Sequence, residues 1–265
     1  MLARVSRRAA THCHHARLGV GKYAGLRIRV AEAFAASKGR YGYRRVKAAL
    51  KTRVSEKAVR RIMAEDGLVA HVPKRRGCSS YEGETTPAPG NLVKRDFTAE
   101  QPNEKWLTDI TGIKARDGKV YLSPMIDCHD GKVVAYTAGS GPNAEPADGM
   151  LVKTTETLPK GAKPLVHSDR GCHYRWPGWL ELMERYGLTR STDAKGCSPD
   201  NAASEGFFGR MKVEAVYPER WEERDRDDVL DLVDEYIHWY NHERIKRSLG
   251  WMSPVQYRQS QGMAA

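Results

Sequence analysis

The chain has 265 residues, with 44 Lys or Arg against 33 Asp or Glu, and a formal net charge of +11. No apolar run approaches the roughly 20 residues of a membrane span, so no membrane partner is expected. The basic N-terminus lacks a following apolar core, which argues against a secretory signal. Five scattered cysteines without a Cys-x-x-Cys pair favour reduced thiols in the cytoplasm over a disulfide framework.

The charge is unevenly distributed along the chain. Residues 1–76 hold 20 Lys or Arg and 4 Asp or Glu, whereas residues 77–265 hold 24 and 29. A basic arm on a mildly acidic body is typical of a polyanion-binding module joined to a metal-dependent catalytic domain. A solvated basic tail is the alternative, but it does not explain the helical pattern inside the arm.

The first segment, residues 1–25, shows no sustained periodicity and is predicted to be a disordered basic arm. Its cluster His12-Cys13-His14-His15 contains metal-binding side chain types. A structural zinc site needs four ligands held by defined turns, and no second ligand pair lies at finger spacing. A zinc site is therefore not expected here.

Residues 26–72 are predicted to form a small DNA-binding unit of three helices. Apolar residues recur three and four positions apart, Gly42 and Tyr43 interrupt them, Ser55 can cap the third helix, and Gly67 ends it. This arrangement suits a helix-turn-helix unit, although a solvated basic face is the alternative. The residues expected to contact DNA here are Arg44, Arg45, Lys57, Arg60 and Arg61.

Residues 73–104, rich in Pro, Gly, Ser and Thr, are predicted to be a linker. A catalytic core is predicted over residues 105–220, beginning with three antiparallel strands joined by Asp-Gly turns. Helices and strands then alternate, so we expect an α/β fold with a mixed sheet and flanking helices. The predicted strands are 106–113, 119–126, 132–138, 163–167 and 188–191, and the predicted helices are 144–158, 179–186 and one opening at Asp200. Residues 221–265 are predicted to be a helical extension of the core.

Three acidic residues lie where they could form one site: Asp109 in the first strand, Asp169 just after the fourth, and Glu205 one turn into a helix. Carboxylates repel one another and are costly to desolvate, and hard divalent cations remove that cost. The set therefore predicts a two-metal site for phosphoryl transfer. Each acid also has a simpler explanation, such as a solvated helix residue for Glu205 or a strand-edge charge for Asp109.

Three further residues are candidates near this site. Asn201 and Lys212 lie on the same helical face as Glu205, which would let Lys212 hold a DNA phosphate. His167 precedes Asp169 by two positions. It either supports the site or is a packed core histidine.

Five motifs then occur in order along the chain: W-L-T-D-I-T, Y-L-S-P-M-I-D, H-S-D-R-G, D-N-A-A-S-E-G-F-F-G-R-M-K-V-E and Y-N-H-E-R-I-K-R-S-L-G-W-M-S-P. Together they resemble the OrfB-type catalytic subunit of bacterial insertion-sequence transposases, whose integrase core is similar to that of retroviral integrases. The 35 residues between Asp169 and Glu205 match the spacing of that family. The segment R-Y-G-Y-R-R-V resembles part of the DNA-binding segment that precedes the core in the same proteins.

This resemblance implies an RNase H-like fold in which Asp109, Asp169 and Glu205 are the D-D-E triad, both catalytic and metal-binding. It implies two Mg²⁺ ions, with Mn²⁺ as an alternative, and a reaction in which DNA is cleaved and a 3′-hydroxyl is transferred. Lys212 matches a residue that contacts transposon-end DNA. Arg244 belongs to a Y-N-x-x-R motif with Tyr240 and Asn241, whose role is structural or DNA-facing.

The expected partners are double-stranded DNA of the element ends and the target, further copies of this chain, and an upstream OrfA-type fusion partner. No heptad repeat occurs in the chain itself. The expected location is the bacterial cytoplasm, in association with the nucleoid. Two departures from the family pattern are Lys246, where His is usual, and C-H-D at residues 128–130.

Two other functions remain open at this point. A metal-dependent nuclease of RNase H type would cleave DNA and never join it. A DNA-binding regulator derived from a transposase would not catalyse at all. A zinc enzyme is less well supported, because no His and Cys set has ligand spacing.

Overall fold

The computed structural model of the protein describes residues 23–70, 89–141, 145–159, 161–193 and 202–263. The chain divides into two compact units, Met1–Val72 and Pro73–Ala265. Within the described ranges, no helix is long and apolar enough to cross a membrane. Three predicted features lie outside the described ranges: most of the disordered arm, residues 73–88 of the linker, and the helix start at Asp200.

The first unit contains the three predicted helices, α1 (Ala24–Ala36), α2 (Tyr43–Ala49) and α3 (Glu56–Glu65). The predicted cap is present, because Ser55 Oγ accepts a hydrogen bond from the Ala58 amide at 3.3 Å. Gly67 follows α3 with a φ of +67°, the left-handed conformation that ends many helices. The apolar faces meet in a core that includes Val30, Val46, Val59 and Ile62, all without exposed surface.

The second unit is built on a mixed sheet, which in the described part of the chain has six strands. They are β1 (Lys105–Thr108), β2 (Thr111–Ala115), β3 (Gly118–Asp127), β4 (Val133–Gly139), β5 (Leu165–Ser168) and β6 (Thr189–Thr192). The long strand β3 pairs antiparallel with β4 and with both β1 and β2. β1 pairs parallel with β5, and β5 pairs parallel with β6.

The predicted single strand over residues 106–113 is corrected to two strands. β1 and β2 are separated by two residues, Asp109 and Ile110, but both pair with β3. Thr108 lies opposite Met125 and Thr111 opposite Leu122, so the register on β3 continues across the interruption.

A proline in the neighbouring strand accounts for this interruption. The Cys128 amide donates to the Lys105 carbonyl at 2.9 Å, and the hydrogen-bonding direction alternates along an antiparallel strand. Residue 124 therefore faces Asp109 with its backbone nitrogen. Pro124 has no N–H, so it cannot donate the ladder hydrogen bond to the Asp109 carbonyl. The strand loses its regular pairing at the residue that carries the first candidate carboxylate.

Helices flank this sheet, as predicted. α4 (Glu145–Glu156) packs on β3 and β4, and α5 (Pro177–Arg185) packs on α4. α6 (Ala202–Met211) packs against β1 and continues into a π-helical turn over Lys212–Val216. α7 (Arg226–His242) packs on β3 and β4, and α8 (Pro254–Ser260) packs on α7. The main core below α4 and α5 includes the fully buried Trp106, Met125, Met150 and Trp179.

A buried ion cluster joins α8 to the turn between β3 and β4. Arg258 Nε donates to Asp130 Oδ2 at 2.6 Å, and an Arg258 terminal nitrogen donates to Asp127 Oδ2 at 2.9 Å. All three side chains are buried. Asp130 belongs to the C-H-D segment that departs from the family pattern, and here it is a structural partner of Arg258.

Two side-chain contacts connect further segments to the sheet. Asn241 of α7 accepts a hydrogen bond from the Val133 amide at 2.9 Å and donates to the Val133 carbonyl at 2.8 Å. On the other side of the sheet, the Leu92 amide donates to Ser191 Oγ at 2.9 Å, and Thr192 Oγ1 donates to the Pro89 carbonyl at 2.7 Å. Residues 89–92 therefore lie along β6.

Candidate active site

Two of the three candidate carboxylates lie at one edge of the sheet. Asp109 follows β1 and Asp169 follows β5, and the last residues of these parallel strands, Thr108 and Ser168, are directly paired. The carboxyl ends of adjacent parallel strands meet at one edge, where open α/β sheets bind their ligands. Turn-forming hydrogen bonds orient both side chains: the Ile110 amide donates to Asp109 Oδ1 at 2.7 Å, and the Gly171 amide donates to Asp169 Oδ1 at 2.9 Å.

A buried tyrosine lies beside these two carboxylates. After Asp169, a 3-10 turn over Cys172–Arg175 brings the Tyr174 hydroxyl to 3.4 Å from Thr108 Oγ1. Burial raises the pKa of Tyr174 well above its ordinary value, and the negative charges of Asp109 and Asp169 raise it further. The phenol therefore stays neutral. Sequence reasoning missed this residue, because its role depends on the turn that returns it to β1.

Asp169 lies in an environment that disfavours its negative charge. Burial raises the pKa of Asp169, and the nearby charge of Asp193 adds to the increase, while the Gly171 amide and His173 oppose it. A carboxylate that is partly desolvated and close to other carboxylates is stabilised when a divalent cation binds it. The side chains at this edge therefore fit a hard metal ion with oxygen ligands.

His167 is a packed histidine that connects β5 to β6. Its Nδ1 lies 2.9 Å from Ser191 Oγ, and its Nε2 lies 2.9 Å from Asp193 Oδ1. The Phe97 ring contacts it edge-on, with the ring centroids 6.1 Å apart. These contacts support the packed alternative. They also show how Asp193, which the sequence did not single out, is held near Asp169.

Glu205 is exposed in the first turns of α6, the helix that packs against β1. Phe207 and Met211, on another face of α6, are buried. Within the described ranges, no three His, Cys, Asp or Glu side chains are close enough together to hold a metal ion. The structure thus brings Asp109 and Asp169 to one edge and does not close a three-carboxylate cluster with Glu205. Asn201 lies outside the described residues.

The predicted DNA-contacting residues of the first unit form a basic and aromatic surface. Arg44 and Arg60 both lie over the ring of Tyr43, at 5.5 and 5.9 Å from its centroid. Arg45 lies over Tyr41 and is half-buried. The exposed members of this surface, which we call the basic face, are Arg44, Lys57, Arg60 and Arg61. Two of them also form exposed ion pairs, Arg44 with Glu56 and Arg61 with Glu65.

The two predicted DNA contacts of the second unit differ in exposure. Lys212 begins the π-helical turn and is half-buried. The Arg244 side chain is only 2% exposed and is paired with Glu214. A guanidinium held in this way is engaged inside the protein, which favours the structural alternative for the Y-N-x-x-R motif over the DNA contact predicted for Arg244.

The fold and the strand-end carboxylates define an integrase-type core, and comparison with known families agrees. Residues 99–198 match an integrase core domain family, and residues 205–261 match a second integrase core domain model. Residues 22–76 match an HTH-like domain. These matches confirm the predicted RNase H-like mixed sheet and the preceding helix-turn-helix-like unit.

Curated relatives identify the family more closely. The chain is 42% identical over 206 residues to a transposase-like protein of Haemophilus influenzae, covering 78% of this chain and 94% of that protein. It is 36% identical over 240 residues to a putative transposase for the insertion sequence IS150 of Escherichia coli K12, covering 89% and 84% of the two chains. The chain belongs to the insertion-sequence transposases.

Other relatives differ in length or are more distant. A probable transposase for IS1353 of Shigella flexneri is 53% identical over 226 residues, which are 84% of this chain but 44% of that protein. Among solved structures, a simian T-cell lymphotropic virus intasome aligns with a TM-score of 0.48 and 16% identity, covering 81% of this chain and 69% of that chain. The integrase catalytic core of HTLV-2, solved with magnesium, aligns with a TM-score of 0.44 and 15% identity, covering 59% and 96%.

Proposed function

We propose that this chain is a transposase catalytic protein that binds double-stranded DNA at the ends of its element, cleaves a phosphodiester there, and joins the freed 3′-hydroxyl to target DNA. The observation that carries this proposal is the position of Asp109 and Asp169 at the ends of two adjacent parallel strands. Family membership supports it independently.

Asp109, Asp169 and Glu205 are the residues proposed to hold two Mg²⁺ ions, with Mn²⁺ as an alternative. When bound, such ions activate the attacking oxygen and stabilise the charge on the leaving oxygen. Support for the metal comes from the raised pKa of Asp169, from the neighbouring charge of Asp193, and from Asp109 at the end of the paired strand. Glu205 is the proposed third ligand because it is exposed on the helix that packs against β1.

The remaining residues bind and orient the DNA. Cationic side chains of the basic face, with Arg45, neutralise phosphates of the element end, which gives affinity without reading the bases. Lys212 and Asn201 contact the DNA near the reacting phosphate. Tyr174, neutral beside the carboxylates, keeps the end of β1 in place through its contact with Thr108. We also propose that the protein acts on DNA together with further copies of itself and with an upstream OrfA-type fusion partner. Its proposed location is the bacterial nucleoid.

The functional division of the chain is also proposed. Residues 1–25 form a basic arm and residues 26–72 bind DNA. Residues 73–104 connect this unit to the catalytic core over residues 105–220. Residues 221–265 extend the core.

The test is a cleavage and joining assay on a plasmid that carries the element's own terminal repeats, with Mg²⁺, with and without an upstream fusion partner. The wild-type protein is expected to nick the ends and to form joined products. Asp109→Asn, Asp169→Asn and Glu205→Gln are each expected to reduce cleavage by about 1,000-fold or more, because removing a metal ligand forfeits several kcal/mol of transition-state stabilisation. Glu184→Gln, an exposed change on α5, is the matched control.

The two rival functions predict other products. A nuclease of RNase H type would give nicked DNA and no joined product. A regulator without catalysis would bind the ends, and Glu205→Gln would change no DNA reaction. Either pattern would replace the proposed function.

A further inference from the structure

The direction in which Glu205 projects depends on the rotation of α6 about its own axis. Successive residues of an α-helix are about 100° apart around the axis. Lys212, seven residues after Glu205, therefore projects to nearly the same side, whereas Glu214 lies two residues further on, inside the π-helical turn, and projects to another side of the helix. Because α6 continues directly into this turn, a contact that fixes Glu214 limits how far α6 can rotate about its axis and so limits the direction of Glu205.

Such a contact joins the π-helical turn to α7 and to Arg244, which lies just after the end of α7. Arg244 Nε donates to Glu214 Oε2 at 2.8 Å, and an Arg244 terminal nitrogen donates to Glu214 Oε1 at 2.6 Å. The Tyr236 hydroxyl donates to Glu214 Oε2 at 2.9 Å. The Arg244 and Glu214 side chains are 2% and 9% exposed. A two-point pair between planar groups fixes orientation as well as distance, which a lysine in place of Arg244 cannot do.

A second contact holds α6 at Phe207, closer to its N-terminus than Glu214. The Tyr240 ring of α7 packs edge-on against Phe207 of α6, with the centroids 5.1 Å apart. The Arg244 guanidinium lies over the same Tyr240 ring at 5.4 Å. Phe207 and Glu214 are seven residues apart, about 10 Å along a helix. Two contacts at this separation oppose rotation of α6 about its own axis.

A contribution to folding stability alone does not account for the buried Arg244–Glu214 ion pair. Replacing a buried ion pair with apolar side chains of similar volume is often neutral or stabilising, whereas the orientation that the pair imposes is lost. We propose that Arg244, together with Tyr236, is a positioning residue for catalysis: it holds Glu214 and thereby directs Glu205 and Lys212 toward the carboxylates at the ends of β1 and β5. This inference rests on the proposed function of Glu205.

The test compares the double variant Glu214→Met/Arg244→Met with Arg244→Lys and the wild type in the full-length protein. The double variant removes both charges together, so no unpaired charge remains buried, and Arg244→Lys keeps the charge without the two-point geometry. Mn²⁺ binding is measured by calorimetry, end-DNA binding by fluorescence anisotropy, and cleavage as a function of Mg²⁺ concentration. All rates are normalised to the folded fraction from urea denaturation in the same buffer.

We expect both variants to bind end DNA within about twofold of wild type, because the basic face is unchanged. Cleavage by the double variant is expected to fall by about 10- to 100-fold, with weaker Mn²⁺ binding and a higher Mg²⁺ concentration at half-maximal rate. The cleavage rate of Arg244→Lys is expected to lie between those of the double variant and the wild type. As a control, Glu219→Met/Arg224→Met removes an exposed pair and is expected to leave every readout unchanged.

The positioning role is wrong if the double variant keeps the wild-type cleavage rate, Mn²⁺ affinity and Mg²⁺ response. It is also wrong if the loss of cleavage is fully accounted for by the folded fraction. Failure of the proposed function gives a different result, because wild type and Asp169→Asn would then be equally inactive.

Discussion

The proposed role of Asp169 in the reaction comes at the expense of the stability of the fold. Burial and the charge of Asp193 raise its pKa above the ordinary value. Because the folded-state pKa lies above that of the unfolded chain, the charged form destabilises the fold at every pH above the folded-state pKa, and the penalty disappears as the pH falls below the unfolded value.

We therefore expect Asp169→Asn to stabilise the metal-free protein at neutral pH, by about 1.4 kcal/mol for each unit by which the pKa is raised. Urea denaturation in the presence of a chelator measures this change. Mg²⁺ should then stabilise wild type and have little effect on the variant. Asp231→Asn, an exposed change on α7, is the control. A variant less stable than wild type without metal would contradict the expectation.

Sequence patterns could single out the acids at this scale, but not all of their neighbours. Asp109, Asp169 and Glu205 stand in motifs that chemistry and family resemblance both recognise. Tyr174 and Asp193 reach the site only because a turn and the β5–β6 pairing bring them there. Arg244 is the converse case: it is a basic residue predicted to contact DNA, but its charge is neutralised by Glu214, which the sequence did not suggest as its partner.

Among the elements, α8 owes its position to charges rather than to apolar packing alone. Arg258 is buried between Asp127 and Asp130 of the β3–β4 turn. Removing one partner from such a cluster leaves uncompensated charge in a dry environment, which is far more costly than losing an exposed pair.

We expect Arg258→Met to lower the free energy of unfolding by about 3–5 kcal/mol, because both carboxylates remain buried without their cation. Arg226→Met, which breaks the exposed pair with Asp117, should cost about 0–1 kcal/mol. Equilibrium denaturation of the full-length chain compares the two. Equal losses of unfolding free energy in the two variants would show that the Arg258 cluster is solvated and contributes little to stability.

Most elements of the fold could be predicted from local pattern, because apolar spacing and turn residues mark them within a few positions. All three helices of the first unit, the strands β3 to β6 and the helices α4 and α5 were expected at nearly the observed positions. The interruption at Asp109 was not, since it depends on Pro124, which lies opposite only after the strands have paired. The π-helical turn after α6 was not expected either; its Glu214 pairs with Arg244, which is 30 residues away in the sequence.

On the scale of the whole molecule, the distribution of charge separates two tasks. The first unit presents the basic face, and the second contains the carboxylates, so DNA affinity and catalysis should respond to different substitutions. Each phosphate that a cationic side chain neutralises contributes about 0.9 to the slope of log affinity against log salt concentration.

We expect the fourfold variant Arg44→Gln, Lys57→Gln, Arg60→Gln and Arg61→Gln to lower this slope for end DNA by up to about 3.6. The slope is measured by fluorescence anisotropy of the full-length protein over salt concentrations from about 50 to about 300 mM. The twofold variant Arg220→Gln and Arg224→Gln, exposed on the second unit, serves as the control. An unchanged slope in the fourfold variant would show that the basic face does not contact phosphates.

The contact between Asn241 and Val133 has a consequence for how copies of this protein meet. β4 pairs only with β3 in the described sheet, and the outer side of such a strand normally offers its backbone to any extended chain that approaches. The Asn241 amide occupies both backbone groups of Val133, as a neighbouring strand would. The beginning of this edge is thereby closed to strand addition, which removes one place where copies of this protein could aggregate edge to edge.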